Sequence, residues 1–269
     1  RPDVPIHMDM PGWSDTFGLY RKGQADVNNH QLLFNWNGYY NRSLAEMTMY
    51  PNDPDENLMF MLTWPDVRTI YSGIYIEDQW KLKHGDQFKF STRLGGQYEE
   101  IADAFGYQSL TIFYPELEES QQRFLVSFNG SYEKYFNKTN IMAGLAYGQR
   151  APSITEAYGF YLYNSNDNFD FIGNPYLNNE SSVEINFAVN FDLHEFKIGA
   201  ETSFFYMNHY IIGEIDPSLS PMTIGANGVK IYTGLDHATI WNSSLKAEYL
   251  FLHDADVRIR SELLIQGNG

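Results

Sequence analysis

The chain reads as a succession of period-two stretches. Between Ser182 and Asp192, Val183, Ile185, Phe187, Val189 and Phe191 alternate with Glu184, Asn186, Ala188, Asn190 and Asp192. Gln87–Tyr98 sets Phe88, Phe90, Leu94 and Tyr98 against Lys89, Ser91, Arg93 and Gln97. Ile70–Leu82 sets Ile70, Ile74, Ile76, Trp80 and Leu82 against Tyr75, Glu77, Gln79 and Lys81. The alternation returns over Arg123–Phe136, Asn140–Gln149, Glu195–His209, Trp241–Phe251 and Asp256–Gln266. Successive side chains of a strand point to opposite faces, so each stretch predicts a strand with one apolar and one polar face. At about 10–14 residues these strands are roughly twice the usual soluble length. No stretch carries a helical period of useful length.

The connections alternate too. Short ones ("DVNNH", "KHGDQ", "FNKTN", "LHE", "HDAD") hold the turn-formers Asn, Asp and Gly. Long ones fall near residues 44–68, 99–121, 151–181 and 211–228. The pattern predicts about ten up-and-down strands, with tight turns at one end and long loops at the other. A soluble sandwich rarely needs such long strands or such one-sided loops, whereas a membrane barrel needs both. The predicted fold is therefore all-β, part of an antiparallel transmembrane β-barrel. Its apolar rows face lipid; its polar rows, with Arg93, Glu184, Glu201, Arg258 and Arg260, face the lumen. Tyr132, Tyr147, Tyr206 and Tyr249 fall near the ends of the apolar rows, where interfacial rings belong.

Composition sharpens this picture without changing it. The 269 residues include 20 Tyr and 19 Phe, which suit a pleated surface. Mean hydropathy is −0.41 and no run of 18 apolar residues occurs, which speaks against helical membrane spans. A barrel stays polar on average, because only alternate residues meet lipid. The net charge of −16 argues against nucleic acid as a partner. Absence of Cys removes disulfides and thiolate metal sites. The opening "RPDVPIHMDMPGW" lacks a basic segment followed by an apolar one, so it is not a signal peptide. Both ends read as internal to a longer chain.

Several motifs then carry a resemblance. "RAPSITEAYG", followed by "IGNPYLNNESS" and an alternating strand, resembles the barrel of TonB-dependent outer-membrane receptors. Arg150, Ala151, Pro152, Ser153, Glu156, Gly173, Asn174, Pro175, Leu177, Glu180 and Ser182 sit on the positions of that family's R-A-P-S-x-x-E and G-N-P-x-L-x-x-E-x-S runs. "YSGIYIEDQWKL" is similar to its G-x-Y-x-x-D-x-W strand. "YTGLDHATIWNSSLKAEY" is similar to another of its strands, departing from it at Gly234 and at Asn242-Ser243-Ser244. The resemblance implies a receptor of siderophore or metal type, Bacteroidetes-like, in the outer membrane of a Gram-negative cell. It also implies extracellular long loops, periplasmic short turns, contact with lipid and lipopolysaccharide, and a TonB–ExbB–ExbD partner complex acting through a plug. Whole receptors of this kind have about 22 strands around a plugged lumen. Residues 1–269 are accordingly expected to be a barrel fragment without the plug.

Candidate chemistry is sparse. No G-x-S-x-G, Walker loop or H-E-x-x-H occurs, and the chain reads as a non-enzyme. A calcium loop starting at Asn166 would need Gly and Glu where Phe171 and Leu177 stand. The N-x-S/T triplets at Asn41, Asn129, Asn137, Asn179 and Asn242 read as polar alternation, and His30, His84, His194 and His253 as turn residues. The methionines stand out. "HMDM", "EMTMY" and "LMFML" place His7 with Met8, Met10, Met47, Met49, Met59 and Met61 in M-x-M spacing, in outer loops or strand ends. In extended chain i and i+2 share a face, so each pair can present two thioethers, soft ligands suited to Cu(I). The plainer role of such residues is to fill apolar gaps. Tyr158, Tyr161 and Tyr163 in the long loop either pack it on its neighbours or face a ligand. The acidic stretches "NDPDEN" and "YPELEES", with Glu99, Glu100 and Asp103, read as solvated surface that can draw cations toward the mouth.

The function these features imply is active uptake of a scarce ligand. An iron–siderophore or other metal complex leads, and the methionines add copper as an option. No cofactor is implied; a metal would be cargo. Glycan uptake is the rival within transport, and a non-transporting surface β-structured binding protein is the rival outside it.

Overall fold

The computed structural model describes residues 6–51, 53, 55, 57–193, 195–254 and 257–268. The chain forms β1 (Ile6–Asp9), β2 (Gly12–Val27), β3 (His30–Pro51), β4 (Met59–Lys81) and β5 (Gln87–Ile101). Helix α1 (Ala104–Thr111) precedes β6 (Ser120–Phe136) and β7 (Thr139–Arg150). Then come α2 (Ile154–Tyr158), β8 (Leu162–Asn164) and β9 (Phe169–Ile172). The chain ends with β10 (Glu180–Leu193), β11 (Phe196–Ile215), β12 (Val229–Asp254) and β13 (Val257–Asn268). Both β1 and β2 pair with β3, so they are two parts of one strand broken at Met10-Pro11. With that strand, β3–β7 and β10–β13 make an open antiparallel wall in which each strand bonds its neighbours in sequence. This is a partial β-barrel.

The two faces separate as the alternation predicts. In register across the wall, Phe90, Gly130, Leu145, Ile185, Phe204 and Trp241 form one row. All but the glycine are exposed apolar side chains. An apolar surface this extensive marks contact with something other than water, here lipid. The opposite face carries Tyr75, Glu77, Lys89 and Arg93, joined by a 3.2 Å Lys89–Glu77 ion pair and by Arg93 lying over the Tyr75 ring. Two facing glycines, Gly73 and Gly95, let the Tyr71 ring lie flat against the wall on that side. A Cβ at either would collide with the ring.

At the loop end the boundaries differ from those the pattern suggests. Wall strands run well past the alternating stretches: β3 continues to Pro51, β4 begins at Met59, and β11 continues to Ile215. In β4 the alternation fades between Met61 and Val67 because both faces are covered. Met61, Leu62, Thr63, Asp66 and Val67 are all buried, so either face tolerates apolar residues. Register shifts at Ser43/Ala45 and Ala45/Glu46 give β4 two extra residues between Leu62 and Val67, a stretch that includes Pro65 and a left-handed Asp66 (φ 50°). Two short helices, α1 and α2, also occupy the long loops, where no helical period was evident. They are too short to show one, and their caps decide them instead. Asp103 accepts the Gly106 amide at 2.9 Å, and Ser153 forms a capping box with Glu156. Hairpin β8–β9 adds to the sheet by parallel pairing of β9 with the start of β12. Among the tight turns, the tips at His194 and at 255–256 lie outside the described residues.

Candidate functional site

Two groups of side chains dominate the loop end. The first is a clamp built on Arg150 at the end of β7. Its guanidinium grips two carboxylates at once: Nε and Nη2 donate to Glu180 at 2.9 and 3.1 Å, Nη1 and Nη2 to Glu156 at 2.7 and 3.1 Å. Paired N–H···O contacts to a carboxylate fix direction as well as distance. Glu156 also accepts the Ser153 amide at 2.7 Å, and Glu180 accepts the Ile211 amide of β11 at 3.0 Å. One arginine thus ties β7, α2, β10 and β11 together. The bond to Glu156, seconded by Glu180 against a burial cost, raises the Arg150 pKa further. Burial alone would push Glu156 up, but bonds from Arg150 and Ser153 outweigh it and hold the carboxyl below its ordinary value.

The rest of the motif serves the same clamp. Pro152 is buried and fixes φ just before the Ser153 cap. The Gly173 amide donates to the Gly159 carbonyl at 2.6 Å, and a Cβ on Gly173 would stand 2.6 Å from the Gly159 nitrogen. Only glycine allows the chain to pass α2 this closely. The Asn174 amide donates to the Glu156 carbonyl at 2.8 Å, and its side chain accepts the Tyr176 amide at 2.9 Å, which turns the chain at Pro175. Arg123 of β6 then holds this turn, donating to the Leu177 and Pro175 carbonyls at 2.7 and 3.3 Å.

Behind Arg123 lies a buried acid that the sequence suggested was solvated. Glu99 is 1% exposed, 3.7 Å from the Arg123 Nε, and accepts the Tyr158 hydroxyl at 2.9 Å. It belongs to the polar row of β5, beside Arg123 of the polar row of β6, and is paired rather than hydrated. Burial, then the Glu99 charge, push the Tyr158 hydroxyl well above its ordinary pKa. Tyr158 and Tyr161 lie in the loop core with Phe160, Leu110 and Ile172, and so pack the loop. Tyr163 is 37% exposed, its hydroxyl bonded to Asn168. Beside the turn, burial and the nearby Tyr176 push the Tyr114 hydroxyl up to about 12, and it donates to the Gly173 carbonyl at 2.9 Å.

The second group is methionine. Strand register sets Met8 opposite Met49 and Met49 opposite Met59, while Met47 faces Met61. Asp9 pairs with Thr48, and the Glu46 amide donates to the Pro11 carbonyl at 2.9 Å, which brackets Met10 beside Met47. Three M-x-M pairs from three strands therefore form two adjacent rows. Directly opposed residues share a face, so the six side chains lie on one side of the sheet. Met47, Met49 and Met61 belong to the loop core; Met8, Met10 and Met59 are exposed at 43%, 46% and 47%. His7 pairs with Tyr50, one residue out of phase, and so stands on the opposite face from Met8. Among the described residues no three His, Asp or Glu side chains cluster to hold a metal. A cavity of about 550 Å³ lined by Asn140, Asn190, Lys197 and Glu201 lies at the tight-turn end, away from both groups.

The model of the family described as TonB dependent receptor-like, beta-barrel, matches residues 7–243. The chain belongs to this family. No curated protein matches it by sequence. Among solved structures, the copper transporter OprC superposes with TM-score 0.71 at 15% identity, covering 97% of this chain and 38% of that one. The RagAB peptide transporter gives 0.59 at 10% identity, covering 98% and 30%. The alcaligin outer membrane receptor FauA from Bordetella pertussis gives 0.55 at 9%, covering 98% and 40%. The chain therefore spans less than half the length of each of these three structures, and at these identities the likeness concerns the fold.

Proposed function

We propose that this chain is wall of an outer-membrane TonB-dependent transporter whose cargo is a metal or metal complex, with copper favoured. One observation carries the choice of cargo: six methionines from three separate sequence segments meet in register on one face of the rim. Iron complexes offer oxygen-rich surfaces, whereas thioethers are soft ligands suited to Cu(I). The exposed sulfurs of Met8, Met10 and Met59 would receive the ion, and buried Met47, Met49 and Met61 would support them; His7, on the other face, is not part of this set. OprC is a copper transporter, which agrees with the reading, but the methionines are its basis. About ten strands are under half of the roughly 22 that close such a barrel. The intact receptor is accordingly proposed to hold its plug elsewhere in the chain, with TonB–ExbB–ExbD acting through it. The long loops are proposed to face outward, beside lipopolysaccharide, and the tight turns the periplasm.

The cargo test replaces all six residues by leucine in the intact receptor. Met→Leu nearly conserves volume and costs under about 1.5 kcal/mol per site, so packing survives while sulfur is lost. The expected result is loss of bound copper by mass spectrometry and of copper-limited growth, with iron–siderophore growth untouched. Copper content unchanged in the variant, or absent from the native receptor, removes the copper reading. Orientation is read by single-Cys labelling of intact cells, since the chain has no Cys of its own. Label is expected near Asp55, Glu116, Asn166 and Ser218, and none at His84 or Asn137; the reverse pattern inverts the proposed topology.

A further inference from the structure

The lipid-facing surface near the tight turns carries a feature that the transport reading does not use. Along β6, residues 124 to 136 of even number share the apolar face, and Gly130 interrupts them. Its missing side chain leaves a notch of about 510 Å³ walled by Ile76, Phe90, Phe128 and Leu145. The Phe90 ring leans over it, 3.3 Å from where a Cβ on Gly130 would stand. Two residues toward the turns, Tyr132 packs at a tilt against Phe88 with ring centroids 4.6 Å apart and donates its hydroxyl to Asp86 at 3.1 Å. Two further on stands Lys134, its ammonium over the Phe136 ring at 4.8 Å.

The last ladder pair of β5 and β6 is Gln87 with Glu133, which places Asp86 directly across from Lys134 on the same face. A cation and an anion thus occupy facing register positions at the tight-turn edge, with Asp86 also accepting the Tyr135 amide at 3.2 Å, about 13 Å along the strand from an apolar notch at about 3.3 Å per residue. A lipid whose headgroup carries both charges fits this arrangement. We propose that this site seats one phosphatidylethanolamine-type phospholipid of the periplasmic leaflet. Its phosphate rests on Lys134, its primary ammonium on Asp86, and an acyl chain passes over Tyr132 into the notch at Gly130. The charge pair matches a zwitterion, while a purely anionic headgroup would meet Asp86 unfavourably. The proposal rests on the orientation given above, which puts the tight turns at the periplasmic side.

Native mass spectrometry of the intact receptor, washed in detergent until bulk lipid is gone, tests it. The wild type is expected to retain one phosphatidylethanolamine. Lys134→Gln should lower retention about fivefold, as expected for one basic residue at a lipid surface. Gly130→Leu should lower it similarly by filling the notch. Lys134→Gln lies at the tight-turn edge and keeps the barrel fold, which heat-modifiable migration on gels verifies for each variant. Phosphatidylglycerol should compete poorly with the wild type and better with Asp86→Asn. Equal retention by all variants, or no retained lipid, overturns the site. Normal cysteine labelling alongside such a result leaves the transport reading standing. Retention of lipid A instead also overturns it, and inverted labelling would then trace the failure to orientation.

Discussion

The wall below the rim and the rim itself are built from the same strands, yet they are held by different means. Below the rim, apart from the Gly73 and Gly95 pair under the Tyr71 ring, each strand needs only an apolar residue on one face and a polar residue on the other, and neighbours tolerate exchange within each class. Ile185, Phe204 and Trp241 share a row because each is large and apolar, not because each fits a particular partner. At the rim, loops fold in over the polar face and individual atoms become specific. Arg150 must reach Glu156 and Glu180 together, Gly173 must lack a Cβ, and Tyr158 must reach Glu99. A wall of this kind is specified by pattern, and a rim of this kind by identity.

The comparison breaks most visibly in the wall. Phe187 stands on the lipid row and Asn186 on the lumenal one. Phe187→Arg should cost about 2–4 kcal/mol if near the bilayer midplane, and Asn186→Arg far less. Reversible folding in lipid measures both, and equal costs would mean that the faces are misassigned. At the rim the equivalent test is steric. Gly173→Val forces a side chain against the Gly159 nitrogen and should cost about 1–3 kcal/mol. That cost should surface as rapid proteolysis within 151–179 while the wall keeps its heat-resistant migration. Unfolding of the wall together with the loop would show that the two regions are one cooperative unit. Tyr158→Phe is subtler: it leaves Glu99 buried with one donor fewer, at about 1–2 kcal/mol. Loop protection from hydrogen exchange should drop accordingly, with no change below the rim.

The same division explains what could be read from the chain alone. The faces, the up-and-down order and the one-sidedness of the loops follow from period two and from turn residues, both local properties. The lower part of the β4 extension was hidden because burial on both faces between Met61 and Val67 erases the period. Helices of eight and five residues announce themselves only through Asp103 and Ser153. Glu99 looked like one more loop carboxylate; its place two residues after Gln97 in the polar row was the available clue. The methionines were visible as three pairs, but their meeting depends on the register of β3 with β4 across a loop and with β1, 39 residues away (Met8 to Met47), which no local pattern encodes. His7, adjacent in sequence to Met8, is carried to the other face by the strand's own alternation.

The smallest expected effect concerns acid. Glu156 has its pKa lowered in the folded rim, so its pairing stabilises the loop above the unfolded carboxyl value of about 4.3 and is lost as pH falls through the lower folded value. Arg150 stays protonated throughout, so between pH 7 and pH 5 the clamp should be unaffected. Arg150 is 45% exposed, and solvent screening limits an exposed pair of this kind to about 1 kcal/mol or less. Hydrogen exchange within 151–179, corrected for its intrinsic pH dependence, should therefore be flat from pH 7 to 5 and rise modestly only below about pH 4. Glu156→Gln keeps most of the shape and removes the titration, so its curve should lose that rise. Below the rim, the apolar rows carry no such carboxylate in their lipid contacts at Ile185, Phe187 and Phe204, and protection there should follow no comparable step. A loop that loosens between pH 7 and 5 would place the controlling group outside the clamp. A wall that loosens in step with the loop would join the two regions that pattern and identity otherwise separate.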